Sequence, residues 1–197
     1  GGGGGGACRV LRRLWKLSIK ASERINKGTG MFRTMPIDWS KSAQAHRQSR
    51  YEIHAALKQA NQEFERMQYN TVISAAMKML NILDKLPDMV PSAQSPLPPR
   101  DVQTAIIHEG LGILLRMLAP IVPHICHALW QRIGYGDDIL RAAWPQHNEQ
   151  AMHQDNIELV VQVNGKLRAR VTMAADATRE DVEREALADE NVQRFIG

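Results

Sequence analysis

Only two cysteines, Cys8 and Cys126, occur in 197 residues. That is too few for a disulfide framework, and with nine methionines it reads as a reduced, cytoplasmic chain. Long apolar runs are missing too. A bilayer span needs about 20 such residues, and the longest stretch here, around Ile113 to Val122, is broken by Arg116 and Pro120. No basic segment with a cleavage site opens the chain, so no signal peptide is expected. Nor is there a Gly-rich phosphate loop, a patterned pair of carboxylates or a nucleophile beside a base, so no catalytic residue is expected. His124, Cys126 and His127 cluster at a helix start. On a helix, however, Cys126 leaves the face shared by the two histidines. No second Cys/His group completes four ligands, so no metal site is expected.

What is present suits a folded chain. Hydrophobic residues make up 44%, enough for a core, and charged residues 23%. The net charge of +4 is a mild cationic excess, compatible with an anionic partner.

The pattern is helical first and β later. Gly1–Gly6 have no side chains to pack and read as a linker outside the fold. From Ala7 to about Lys27, Val10, Leu14, Leu17, Ala21 and Ile25 recur at helical spacing, and Gly28 and Gly30 end the helix. A loop over 31–39 contains Pro36. Asp38 or Ser40 can cap a second helix running to about Arg66. Its inward stripe is Ala43, Arg47, Tyr51, His54, Leu57 and Asn61, mixed enough to suggest loose burial or a partner surface. Asn70 can cap a third helix over 71–86. Residues 87–99 hold five of the nine prolines and read as an irregular connection. A fourth, largely apolar helix runs from Asp101 to about Leu118 and is expected at the centre. A fifth begins at Pro123 and ends near Ile133.

Beyond an irregular stretch over 134–151 the period changes to two. The expected domains are therefore a helical unit over 7–150 and an α+β unit over 151–197. Strands are expected over 157–163 and 166–173, with a last helix capped by Asp176 or Thr178 and running through Ala188. A two-residue Asn164-Gly165 loop would set apolar residues against cations. A three-residue loop, 163–165, with Gly165 left-handed repairs this, pairing Val161 with Leu167, Leu159 with Ala169 and Ile157 with Val171.

Two sets of cations could carry function. Arg9, Arg12, Arg13, Lys16 and Lys20 fall within roughly 100° of a helical wheel, and no acidic residue interleaves before Glu23. Lys166, Arg168 and Arg170 alternate along a strand and so share one face. Either set could track phosphates, or could be ordinary solvated surface. Gly110-Leu111-Gly112 inside a helical pattern suggests close helix packing. The four tryptophans read as core or interdomain anchors, with Trp15 or Trp39 stacking on a base as the alternative.

Three segments resemble the bacterial-type leucyl-tRNA synthetases, a class Ia family. They are Arg9-Val10-Leu11-Arg12-Arg13-Leu14-Trp15-Lys16-Leu17, then Tyr69-Asn70-Thr71-Val72-Ile73 through Met79-Leu80-Asn81, and finally Met117 through Trp130. The last is shared with valyl- and isoleucyl-type relatives. Trp144-Pro145 and the hairpin Val160 to Arg170 favour the leucyl type. The resemblance implies an antiparallel helix bundle of the anticodon-binding-domain type, followed by a small, incomplete α+β domain with a β-hairpin. The family's α+β domain normally continues beyond the position matching Gly197, so this copy is expected to stop early, with an unpaired sheet edge.

The family attaches leucine to its tRNA using ATP with Mg, on a catalytic core that carries an editing domain. Neither His-Ile-Gly-His nor Lys-Met-Ser-Lys-Ser occurs here, so no cofactor site is expected in this stretch. The resemblance implies that the helical part leans on the inner corner and D-stem side of a leucine tRNA, and that the small domain reaches its elbow, with the anticodon generally unread. Arg9, Arg12, Arg13, Lys16, Lys20, Lys166, Arg168 and Arg170 are then candidate RNA-backbone contacts. The alternatives are the equivalent domain of a valyl-, isoleucyl- or methionyl-type enzyme, or a standalone helical protein-interaction module.

Overall fold

In the computed structural model, residues 3–26, 37–63, 68–153, 156–174 and 178–196 are described. The chain divides into two compact units, Gly1–Met152 and His153–Gly197. The sequence placed the boundary at 150/151. Ala151 is buried, and the short 3-10 turn Gln150–Met152 packs on the second helix of the first unit.

The first unit holds α1 (Gly3–Asn26), α2 (Gln44–Gln62), α3 (Tyr69–Asp84), α4 (Pro99–Leu118) and α5 (Pro123–Ile133). α4 packs on all four others, as its apolar circumference requires. Ile106, Leu111, Leu114, Leu115, Met117 and Leu118 are almost completely buried along it. α1 contributes Val10, Leu14, Leu17 and Ala21 to the same core. Pro99 sits in the first turn of α4 and Pro123 in that of α5, where a missing N–H leaves no bond unmade. α5 stops at Gly134, whose φ of 94° is the left-handed C-terminal conformation.

Several expectations are corrected. Gly3–Gly6 are not outside the fold, because the helix nucleated by the following residues runs back through their backbone to Gly3. Asp38 caps not α2 but a separate 3-10 turn, Trp39–Lys41, by accepting the Ser40 N–H. Asn70 lies inside α3, whose N-cap is Gln68. The inward stripe of α2 is His46, Arg50, Ile53, His54, Leu57 and Ala60, rotated from the expected one. The side chain of Ile25, the loop through Pro36 with Gly28 and Gly30, Arg66 and Asp176 lie outside the described residues.

The second unit is a hairpin with two helices: β1 (Asn156–Val163), β2 (Lys166–Ala174), α6 (Arg179–Ala188) and α7 (Glu190–Ile196). Thr178 caps α6 in a capping box with Asp181. α7 was not read from the sequence. The expected three-residue loop is wrong. Asn164 (φ 53°) and Gly165 (φ 77°) form a two-residue turn with both residues left-handed, and Val163 pairs with Lys166. The mismatch is absorbed in the ladder: Gln162 pairs with Leu167 and Val161 with Ala169, leaving Arg168 as the extra residue of a β-bulge. Beyond it, Leu159 meets Val171 and Ile157 meets Met173.

Candidate nucleic-acid interface

α1 presents three environments around its circumference. One face is the core. The next is the cationic sector, in which Arg9, Arg12, Lys16 and Lys20 are exposed. Trp15, 47% exposed, stands on the remaining side. Arg13 sits at the edge between core and cations. Its Nη2 lies 2.5 Å from Asp84 Oδ2, and its Nη1 donates to Asn81 Oδ1 at 2.8 Å. Arg13 therefore ties α1 to the end of α3 and is the member of the sector least available to a partner.

Beside that pair a groove of about 550 Å³ opens between α1, the end of α3, the turn after it and α4. Arg13, Lys16, Lys20 and Arg24 form its cationic wall, and Asp84, Asp88 and Gln103 contribute polar atoms from the other elements. Lys16, Lys20 and Arg24 have no acidic partner among the described residues. Unneutralised cations along a groove suit an anionic polymer held by its phosphates. The sequence reading missed Arg24, although it lies one helical repeat beyond Lys20. It also missed Asp84, Asp88 and Gln103, which no local spacing connects to α1.

The hairpin cations are not on one face, contrary to expectation. Alternation along β1 sets position 163, paired with Lys166, on the side of 161 and opposite 160, the partner of Arg170. Lys166 and Arg170 are thus on opposite faces, both exposed. Arg168 is turned by the bulge over the ring of Phe195, 3.6 Å from its centroid, and its Nε is buried without a hydrogen bond. A guanidinium held over an aromatic face in this way is a cation–π contact.

The polar residues of α2 are structural. Arg50 meets both Glu109 oxygens, at 2.9 and 3.1 Å, and lies over the Trp39 ring at 4.2 Å. His54 Nε2 bonds the same carboxylate. Burial works to raise the pKa of Glu109, but the hydrogen bonds from His54 and Arg50, together with the charge of Arg50, outweigh it and hold the carboxyl at about 2. Among the tryptophans, Trp130 is buried and stacks on Tyr135, and Trp144 Nε1 donates to Asn61 Oδ1 at 2.8 Å. At the start of α5 His124 is exposed and Cys126 fully buried, with burial pushing its thiol up to about 12. No group of three or more His, Cys, Asp or Glu side chains that could hold a metal ion occurs among the described residues.

Residues 46–184 match the family described as the anticodon-binding domain of tRNA ligase. The chain belongs to this family. The anticodon-binding-domain match takes in α2 through the hairpin and much of α6. The chain is also similar to leucine–tRNA ligases: 44% identical over 191 residues to that of Coxiella burnetii strain CbuK_Q154, 45% over 191 to that of Azoarcus sp. strain BH72, and 44% over 196 to that of Bordetella pertussis strain Tohama I. In each case 97% of this chain is covered but only 22%, 21% and 20% of the relative, so the chain spans about a fifth of these enzymes. Its fold matches the agnB2 LeuRS of Agrobacterium radiobacter K84, solved in a ternary complex with tRNA and LeuAMS, with a TM-score of 0.74 at 24% identity over 95% of this chain and 22% of that one. No helix among the described residues is long and apolar enough to cross a membrane.

Proposed function

We propose that this chain is the tRNA-docking part of a leucine–tRNA ligase, holding a leucine tRNA by its backbone while leucine is attached elsewhere in the enzyme. The observation that carries this reading is the similarity to leucine–tRNA ligases along 97% of the chain. The unpaired cations of α1, on a groove open to a polymer, supply the physical means. In this reading Arg9, Arg12, Lys16 and Lys20 meet phosphates directly and Arg13 fixes the helix that carries them. Lys166 and Arg170 add contacts from the two faces of the hairpin. Such contacts position the RNA and carry little base information. The catalytic and editing parts, with their ATP and Mg, act outside this stretch, and the enzyme works in the cytoplasm.

The test is a titration of the chain with a leucine tRNA and a non-cognate tRNA across a salt series. Affinity falling steeply with salt supports the docking reading, and preference for the leucine tRNA supports recognition of its shape. Absence of binding at low salt returns the cations to solvated surface.

A further inference from the structure

The groove beside α1 has a polar feature that a plain phosphate track does not need. Asp84 is tied to Arg13, but Asp88 also lines the groove and is held differently. Its Oδ1 accepts Gln103 Nε2 at 3.2 Å, and the same nitrogen donates to the Pro87 carbonyl at 2.8 Å. His46 Nε2 meets that carbonyl at 2.7 Å. Gln103 is 7% exposed and His46 fully buried, so α4 and α2 together fix the turn on which Asp88 stands. Asp88 itself is exposed, and its Oδ2 has no hydrogen bond among the described residues.

A carboxylate in an anion-binding groove repels phosphate. It is acceptor-only when ionised, so a bound strand can satisfy it only with a donor. The donor that recurs beside every phosphate of RNA is the ribose 2′-hydroxyl, which DNA lacks. We propose that Asp88 reads ribose: Lys16, Lys20 and Arg24 hold the phosphates of one strand, and Asp88 Oδ2 accepts the 2′-hydroxyl hydrogen of that strand. The groove thereby selects RNA over other polyanions at the sugar, independently of base sequence. This rests on the reading of α1 as an RNA-docking face and names the group on the RNA that it distinguishes.

The experiment compares binding of the chain to an A-form RNA hairpin and to the same hairpin 2′-O-methylated throughout. Methylation removes the hydroxyl donor and leaves the phosphate charge unchanged. The unmodified hairpin is expected to bind about tenfold more tightly, the scale of one hydrogen bond to a charged group. In Asp88→Ala the ratio falls to about one, with the salt dependence unchanged. Asp88→Asn, which keeps the shape and an amide oxygen but not the charge, falls between the two. An unchanged ratio in both variants overturns the role of Asp88 while leaving the docking face intact. Failure of the unsubstituted chain to bind either hairpin at low salt overturns both readings.

Discussion

His54 accepts the backbone N–H of Asn148 on its Nδ1 at 3.0 Å. With Nδ1 accepting, Nε2 is the ring nitrogen that donates, and it faces Glu109. The segment before the 3-10 turn Gln150–Met152 is held to α2 again by Asn61, which donates to the Pro145 carbonyl at 3.0 Å and accepts from Trp144. Replacing His54 by Ala removes both the acceptor for Asn148 and a donor to Glu109. Exchange of the Asn148 amide, followed by NMR, is expected to speed up by about tenfold or more as that segment opens locally. An unchanged exchange rate would show that Asn61 and Trp144 suffice.

Acid should weaken the first unit in two steps. Burial lowers the pKa of His108 from 6.5 to about 4, against a small opposing effect of Glu109, so the folded state prefers the neutral ring. Its contribution is complete above 6.5 and is lost as pH falls from there towards 4. The Glu109 carboxyl is held below its ordinary 4.5, so its contribution is complete above 4.5 and is lost as pH falls towards 2. Thermal melts between pH 7 and 2 should show a falling Tm in both ranges. Glu109→Gln should abolish the lower step and cost about 2–3 kcal/mol at neutral pH, because the buried Arg50 loses its charged partner.

Arg13 and Lys20 belong to one cationic sector but should behave differently when truncated. Lys20→Ala removes an unpaired cation and should lower the salt slope of RNA binding by about 0.7–0.9 without changing Tm. Arg13→Ala removes the tie to Asp84 and Asn81. It should lower Tm, with a loss of roughly 1 kcal/mol for a partly exposed pair, and leave the slope nearly unchanged. Equal slopes for the two variants would mean that the Asp84 pair opens when RNA binds.

At Gly110 α4 packs tightly against Leu83 of α3. A Cβ built there would lie 2.9 Å from Leu83 Cδ1 and 3.4 Å from Cγ, and Leu83 is 3% exposed. Alanine normally favours a helix over glycine by about 1 kcal/mol. Here overpacking should outweigh that gain, and Gly110→Ala should destabilise by about 1–2 kcal/mol in denaturant unfolding.

The helices that pack by apolar period were legible because the signal is local: Val10, Leu14, Leu17 and Ala21 announce α1 without reference to anything else. The α2 stripe was not. Arg50 and His54 are buried only because Glu109 waits on another helix, 59 and 55 residues away, and a polar residue carries no local mark of its partner. The same holds for Arg13, whose partner Asp84 is 71 residues on. The direction of the α1 cations was readable from the wheel, whereas the groove they line depends on a turn and a helix met much later. In the hairpin the conflict between apolar and cationic positions was visible. Its location was not, because a loop of three residues and a loop of two with a bulge restore the same parity.

The bulge at Arg168 also bears on how this hairpin can change length. Removing that one residue would leave Val163 opposite Lys166, Gln162 opposite Leu167 and Val161 opposite Ala169, a flush ladder with every existing partnership kept. Elsewhere along either strand, a single insertion or deletion would turn all residues between it and the strand end to the other side of the sheet. The hairpin thus carries one position where a frame of one residue can be gained or lost, and sequence variants that differ by one residue in this segment are expected to differ there.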